Sequence, residues 1–293
     1  MPGKKQEYHL VVSDASRSAT GLLAQASGFS HGQIKRAMHK GAVWIVRNKH
    51  VQRLRRVKKQ LHIGDELYFY YDVQVLSSVP PVAQLIADER GYTVWFKPFG
   101  MLSQGSKWGD HCALYRWVEQ HLKPQRPAFI VHRLDRAATG LILLAHSKSV
   151  AAILAKQFQN HTIEKRYRVT VHGKFPDNRT TINSDIDGRT ALSRAGRLEY
   201  DEHRDRSLLE VEIESGRKHQ IRRHLAQTGF PVVGDRLYGH SVDPEDLQLT
   251  ACYLGFECPL TGDKKCYQLP VSLLPDFTLC CTQPPPTGPE FPG

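Results

Sequence analysis

The stretch IVHRLDRAATGLILLAHS, residues 130–147, places an acid, Asp135, in a break between two apolar runs. Phe129–Val131 reads as one short buried strand and Leu141–Ala145 as another, with Thr139-Gly140 in the turn region between them. Arg133 and Arg136 flank the carboxylate. Cationic neighbours favour its ionised form, which is the state a nucleophile or base needs at neutral pH. The same residues would serve equally well as a structural ion pair at a strand end, so the decision lies in the rest of the chain.

The chain has 293 residues, enough for one large domain or two, and its 40% hydrophobic and 24% charged content is that of an ordinary globular protein. No window is long and apolar enough for a membrane span, and MPGKKQEYHL lacks the apolar core of a signal peptide. Six cysteines (Cys112, Cys252, Cys258, Cys266, Cys280, Cys281) form no CxxC pair. Neither a zinc knuckle nor a disulfide framework is indicated, and a reducing cytoplasm fits best. A monomer without metal is expected.

Charge is uneven. Of the net +11, residues 1–75 hold +8, from thirteen Lys/Arg against five Asp/Glu. A basic module ahead of a nearly balanced body suggests a polyanion-binding appendage. Residues 1–10 read as a frayed start. Ser18–Ala26 is helix-prone with Gly28 as its stop, and Ser30 is a plausible N-cap for His31–His39, where Ile34 and Met38 form a narrow apolar seam. Val43–Val46 and Leu67–Tyr71 read as strands, with seven cations and no acid in residues 47–60 between them.

Val73–Asp88, with its Ser77-Ser78 and Pro80-Pro81, reads as linker. Beyond it, Tyr92–Phe96 is a strand, residues 101–112 a polar loop, and Ala113–Leu122 an amphipathic helix. After the central stretch come a helix near 149–161 and an alternating strand, Arg166–His172, with Tyr167, Val169 and Val171 on one face. Residues 174–206 show only strand pieces near Thr190–Leu192 and Arg197–Tyr200. Leu208–Glu214 is a clean strand that leads into a helix with Arg217 at its N-terminus and Ile221 and Leu225 facing inward. Tyr253–Phe256 and Cys266–Leu269 read as a hairpin, and QPPPTGPEFPG (283–293) as a disordered tail.

Several of these pieces resemble one family in one order. KPFGMLSQG, HRLDRAATG, KRYRVTVHG, SGRKHQIRRHL and GDRLYG are similar to consecutive motifs of the pseudouridine synthases, in the branch that modifies ribosomal and transfer RNA. SHGQIKRAMHKGAVWI and LHIGDELYFY resemble the S4-type RNA-binding module found in front of many of them. One departure is visible: Ala138 stands where the family usually has Thr, which bears on loop packing more than on chemistry.

The resemblance implies an α+β fold. A catalytic domain at 89–282, with a mixed, mostly antiparallel central sheet and flanking helices, would follow a small S4-like α/β domain at 1–75 and a linker at 76–88. It also implies isomerisation of a uridine in structured rRNA or tRNA, with no cofactor, and the sequence shows no Walker loop, GxGxxG or metal-ligand spacing. Asp135 would act at C1′ as nucleophile or at C2′ as base. Arg217 would keep it ionised, and Tyr167 would lie against the uracil ring. Arg133 would fill the space of the flipped base, and Ile221 and Leu225 would either wall the pocket or belong to the helix core. His132 is read as structural. Phosphate contact is expected from Lys35, Arg36, Lys40, Arg53, Arg55, Arg56, Lys58 and Lys59. A non-catalytic RNA-binding factor and a glycosidase with paired carboxylates are the competing readings, and no second acid stands out beside Asp135 for the latter.

Overall fold

The computed structural model describes residues 5–240, 242–275 and 277, so the Pro-rich tail lies outside the described residues. The chain divides into two compact units. One holds the residues up to Arg136 together with Ile142–Leu154; the other holds Ala137–Leu141 and the residues from Ala155 onward.

The first unit begins with a module of β1 (Gln6–Val11), α1 (Ala19–Ser27), α2 (His31–His39), β2 (Val43–Arg47), β3 (His50–Arg53) and β4 (Glu66–Tyr71), its sheet ordered β1-β4-β2-β3. Local signals set both helices. Ser18 accepts from the Gly21 amide and Gly28 closes α1 in the left-handed region at φ 75°. Ser30 and Gln33 form a capping box on α2. The Ile34–Met38 seam of α2 is fully buried against Val43 and Ile45 of β2 and Leu67 and Phe69 of β4.

Two strands were not expected. Residues 6–11 pair antiparallel with β4, Tyr8 opposite Phe69 and Leu10 opposite Leu67. An apolar alternation this short gains its hydrogen bonds only from the open edge of β4, so it is invisible locally. Within the basic run, Asn48 and Lys49 both take positive φ (50° and 65°), the geometry of a two-residue turn that folds β3 back on β2.

The first unit continues with α3 (Val73–Ser77), capped by Asp72, and with β5 (Gln84–Asp88) and β6 (Tyr92–Lys97), which pair antiparallel. The stretch read as linker therefore carries a helical turn and a strand. α4 (Leu114–His121) buries Leu114, Trp117 and Val118 as its periodicity predicts. β7 (Phe129–Ile130) pairs antiparallel with the far end of β8 (Thr139–Ala145), and α5 (Lys148–Gln159) follows, burying Val150 and Leu154.

The second unit is built on β9 (Glu164–His172), β10 (Thr180–Ile186), β11 (Arg189–Asp201), β12 (Arg206–Ile213), α6 (Gln220–Gln227), β13 (Leu249–Glu257) and β14 (Lys264–Gln268). Its strand order is β10-β11-β12-β9-β13, antiparallel throughout, and β14 forms the expected hairpin with β13. Thr139 and Gly140, expected in a turn, open strand β8 and run parallel to Thr250 and Ala251 of β13. Gly140 is required there: a Cβ would sit 2.2 Å from the Ala251 carbonyl oxygen. The 13-residue β11 also exceeds the two pieces read from sequence. Its hairpin with β10 turns at Asp187-Gly188, both at positive φ, and exposed polar side chains mask the alternation. The fold is α+β with a mixed, mostly antiparallel sheet.

One ion pair tests the module. Asp65, 2% exposed, receives Arg47 Nε at 2.7 Å and Nη2 at 2.6 Å and the His62 amide at 2.8 Å. The Arg47 hydrogen bonds hold its carboxyl below the ordinary range, against the opposing effect of burial. A lowered folded-state pKa contributes stability that is present above the unfolded value and lost as the pH falls through the folded one. Asp65→Asn is expected to cost about 2 kcal/mol at neutral pH in urea unfolding. The gap to wild type should close below about pH 4.

Candidate active site

β6 runs straight from the core into the candidate site and ends on Lys97, which is fully buried. Its ammonium donates to the carbonyls of Met101 at 2.9 Å, Pro98 at 3.2 Å and Arg136 at 3.3 Å. Burial pulls its pKa down to about 7, against the opposing pull of the Asp135 charge. The Gly100 amide donates to the same Arg136 carbonyl at 3.0 Å. Ser103, 4% exposed, accepts from the Leu134 amide at 3.0 Å and donates to the Leu134 carbonyl at 2.7 Å. Asp135 is thus flanked on either side by residues whose main chain is held by buried groups, while its own residue stays partly open to solvent. Arg133 and Arg136 are exposed on the same loop, and His132 accepts the Leu143 amide through Nε2 at 2.9 Å.

The polar loop 101–112 is anchored at its other end by Asp110, fully buried. Asp110 takes Arg53 Nε at 3.0 Å, the guanidinium of Arg55 and the hydroxyl of Tyr115, and its amide donates to the Lys40 carbonyl at 3.0 Å. Arg53 also donates to the Ser106 carbonyl at 2.8 Å and lies over the Trp44 ring at 4.1 Å. Two of the eight cations expected at phosphates, Arg53 and Arg55, therefore already face a carboxylate inside the protein. Lys35, Arg36, Arg56 and Lys58 are exposed, and Lys40 and Lys59 half-buried.

In the second unit, Tyr167 lies half-buried on β9, opposite Val211 of β12 and Ala251 of β13. Arg217 does not open the helix. α6 starts three residues later, after His219 in the left-handed region at φ 55°, and Arg217 sits in the preceding turn. A single side chain shapes that turn. Gln220, 3% exposed, accepts from Ser215 Oγ at 2.8 Å and the Arg217 amide at 3.1 Å, and donates to the Leu192 carbonyl at 2.9 Å and Ser193 Oγ at 3.2 Å. Ile221 and Leu225, 4% and 1% exposed, fix α6 from its inner face. Arg222 clamps Asp235 of the GDRLYG loop with bonds of 2.7 and 2.5 Å. Burial would raise the Asp235 pKa, but Arg222 and the amides of Leu237 and Tyr238 outweigh it and hold the carboxyl below its usual range.

Sequence reasoning missed Lys97, Ser103, Asp110 and Gln220. Each sits inside a quoted motif or loop, yet each acts on main-chain groups or charges far away in sequence, and periodicity carries no trace of such contacts. Among the described residues no group of His, Cys, Asp or Glu could hold a metal ion, and no helix is long and apolar enough to cross a membrane.

A sequence profile described as RNA pseudouridylate synthase matches residues 91–227, the span from β6 through α6. The tRNA pseudouridine synthase C of Yersinia pestis is 30% identical over 205 residues, covering 57% of this chain and 78% of that protein. An uncharacterized RNA pseudouridine synthase of Aquifex aeolicus is 28% identical over 275 residues, covering 82% and 85%. The ribosomal large subunit pseudouridine synthase D of Borreliella burgdorferi is 27% identical over 249 residues, covering 75% of each chain. Human RNA pseudouridylate synthase domain containing 1 shares the fold over 69% of this chain and 90% of its own, with a TM-score of 0.58 at 21% identity. The chain belongs to the RNA pseudouridine synthase family, and is an enzyme of that class.

Gln220→Leu keeps the volume but strands the Leu192 carbonyl and the Arg217 amide. It is expected to lower stability by about 2–3 kcal/mol, read as a lower urea midpoint at unchanged slope.

Proposed function

We propose that this enzyme converts a specific uridine of structured ribosomal or transfer RNA to pseudouridine in the cytoplasm, with Asp135 as the catalytic carboxylate. The observation that carries the reading is the setting of Asp135: the main chain on either side of it is immobilised by buried side chains, yet the residue is reachable from solvent. A group that must meet one sugar carbon needs that combination of fixed position and access.

The chemistry is a balanced rearrangement. The N1–C1′ bond breaks with its electron pair going to the uracil, the base turns, and C5 bonds to C1′. The proton on C5 then leaves and N1 ends protonated. Asp135 either captures C1′ as an ester or removes the C2′ proton, and it is regenerated in both routes. No electron or phosphoryl group is transferred, so the reaction itself needs no cofactor.

In this proposal Arg217 is the cationic partner of Asp135 during the reaction, a task suited to a forked guanidinium. Tyr167 lies against the uracil and assists departure of the C5 proton. Arg133 occupies the gap left by the extruded base, an extrusion that costs a few kcal/mol. Ile221 and Leu225 support the pocket from within α6. Residues 1–75 act as an S4-like RNA-binding domain ahead of a catalytic domain at 89–282, and hold A-form RNA through phosphates. Lys35, Arg36, Arg56 and Lys58 lead these contacts, with Lys40 and Lys59 beside them and Arg53 and Arg55 anchored to Asp110. Relatives named for transfer RNA and for the large ribosomal subunit support structured RNA as substrate.

Purified wild type should release tritium from RNA carrying [5-³H]uridine, and Asp135→Asn should lower release at least about 10³-fold while RNA affinity is kept. Normal turnover by Asp135→Asn removes the carboxylate from the mechanism. Replacing Lys35 and Arg36 together by Gln should reduce the slope of log affinity against log salt by about 2, with the rate at saturating RNA unchanged. Charge substitution is the appropriate probe here, because deleting the module would leave Asp110 buried without its arginines.

A further inference from the structure

The residue before the catalytic aspartate has both of its main-chain polar groups bonded to one side chain. Ser103 Oγ accepts the Leu134 N–H at 3.0 Å and donates its own proton to the Leu134 C=O at 2.7 Å. The peptide unit is planar, so a fixed Leu134 carbonyl also fixes the plane that carries the nitrogen and Cα of Asp135. Neither residue lies in a helix or strand. No ladder of backbone hydrogen bonds takes over this task, and Ser103 and Leu134 are only 4% and 7% exposed.

Ser103 is itself held by rigid surroundings. Its neighbour Leu102 donates to the Cys112 carbonyl at 3.3 Å and accepts the Leu114 amide at 2.7 Å at the start of α4. Farther along the loop, Asp110 ties the same segment to Arg53, Arg55 and Tyr115. The hydroxyl is the terminus of a braced frame that includes the N-terminal module, and among the described residues its side-chain bonds go to the residue beside Asp135.

We propose that Ser103 is a positioning residue for the reaction: its hydroxyl sets the main chain of Leu134 and through it the angle at which Asp135 presents its carboxylate to the ribose. The inference rests on Asp135 being the catalytic acid. Ser103 touches no substrate, and acts only through the Leu134 peptide. Loss of the clamp leaves RNA binding intact and misplaces the reacting group, and misplacement by about 1 Å lowers rates by up to about a hundredfold.

The test compares Ser103→Ala, Ser103→Thr and Ser103→Cys with wild type and Asp135→Asn, by tritium release at saturating and limiting RNA. Ser103→Ala is expected to lower kcat about ten- to a hundredfold, with KM for RNA within about twofold. Ser103→Thr, which keeps the hydroxyl, should retain most of kcat, and Ser103→Cys, a weaker donor and acceptor, should fall between. Amide hydrogen exchange at Leu134 should accelerate in Ser103→Ala and stay slow in Ser103→Thr. If Ser103→Ala does not fold, the ordering of the Thr and Cys variants carries the comparison. A wild-type kcat in Ser103→Ala, a loss confined to KM, or a lowered melting temperature at full kcat overturns the proposal and leaves Asp135 in place. Turnover by Asp135→Asn, or a wild type that releases no tritium, instead overturns the functional reading on which it stands.

Discussion

The loop that bears Asp135 contains main-chain amides and carbonyls that no helix or strand satisfies, and buried groups of that kind must find partners. Lys97 and Ser103 are those partners, reaching from β6 and the loop after it to the carbonyl of Arg136 and to both polar groups of Leu134. A full ammonium in the core is costly, which is why burial draws the Lys97 pKa down to about 7. Three carbonyl oxygens and the nearby Asp135 charge offset that cost. The arrangement explains how an acid can be held rigid without being sealed in.

Electrostatic accounting also changes the meaning of the basic N-terminus. Net charge alone assigns all its cations to a polyanion. Asp110 shows that two of them, Arg53 and Arg55, neutralise a buried carboxylate in the loop that follows β6 of the same unit. The module is therefore joined to the loop that also carries Ser103, by charge and by main-chain bonds such as Asp110 to Lys40. The cations left exposed, Lys35, Arg36, Arg56 and Lys58 among them, are fewer than the sequence count suggests.

The second unit follows the same rule with different residues. The turn bearing Arg217 has few main-chain bonds of its own, and Gln220 uses both ends of its amide to complete it. Beyond it, the Arg222–Asp235 pair fixes the GDRLYG loop to α6. In both units a buried polar side chain completes the main-chain hydrogen bonds of an irregular segment.

Sequence by itself determined the locally encoded elements: α2 with its Ser30 N-cap, the alternating β12, the β13–β14 hairpin, and the ordered motifs that point to the family. These rest on short-range physics, where spacing along the chain equals spacing in space. Tertiary structure alone decided that residues 6–11 form a strand, because only the free edge of β4 completes their hydrogen bonds. It also decided that Thr139 and Gly140 begin a strand, since Gly140 lies against the main chain of Ala251, 111 positions away. The roles of Lys97, Ser103, Asp110 and Gln220 belong to the same class. Each depends on a partner that folding brings near, and desolvation, which gives such contacts their weight, exists only once the chain is compact.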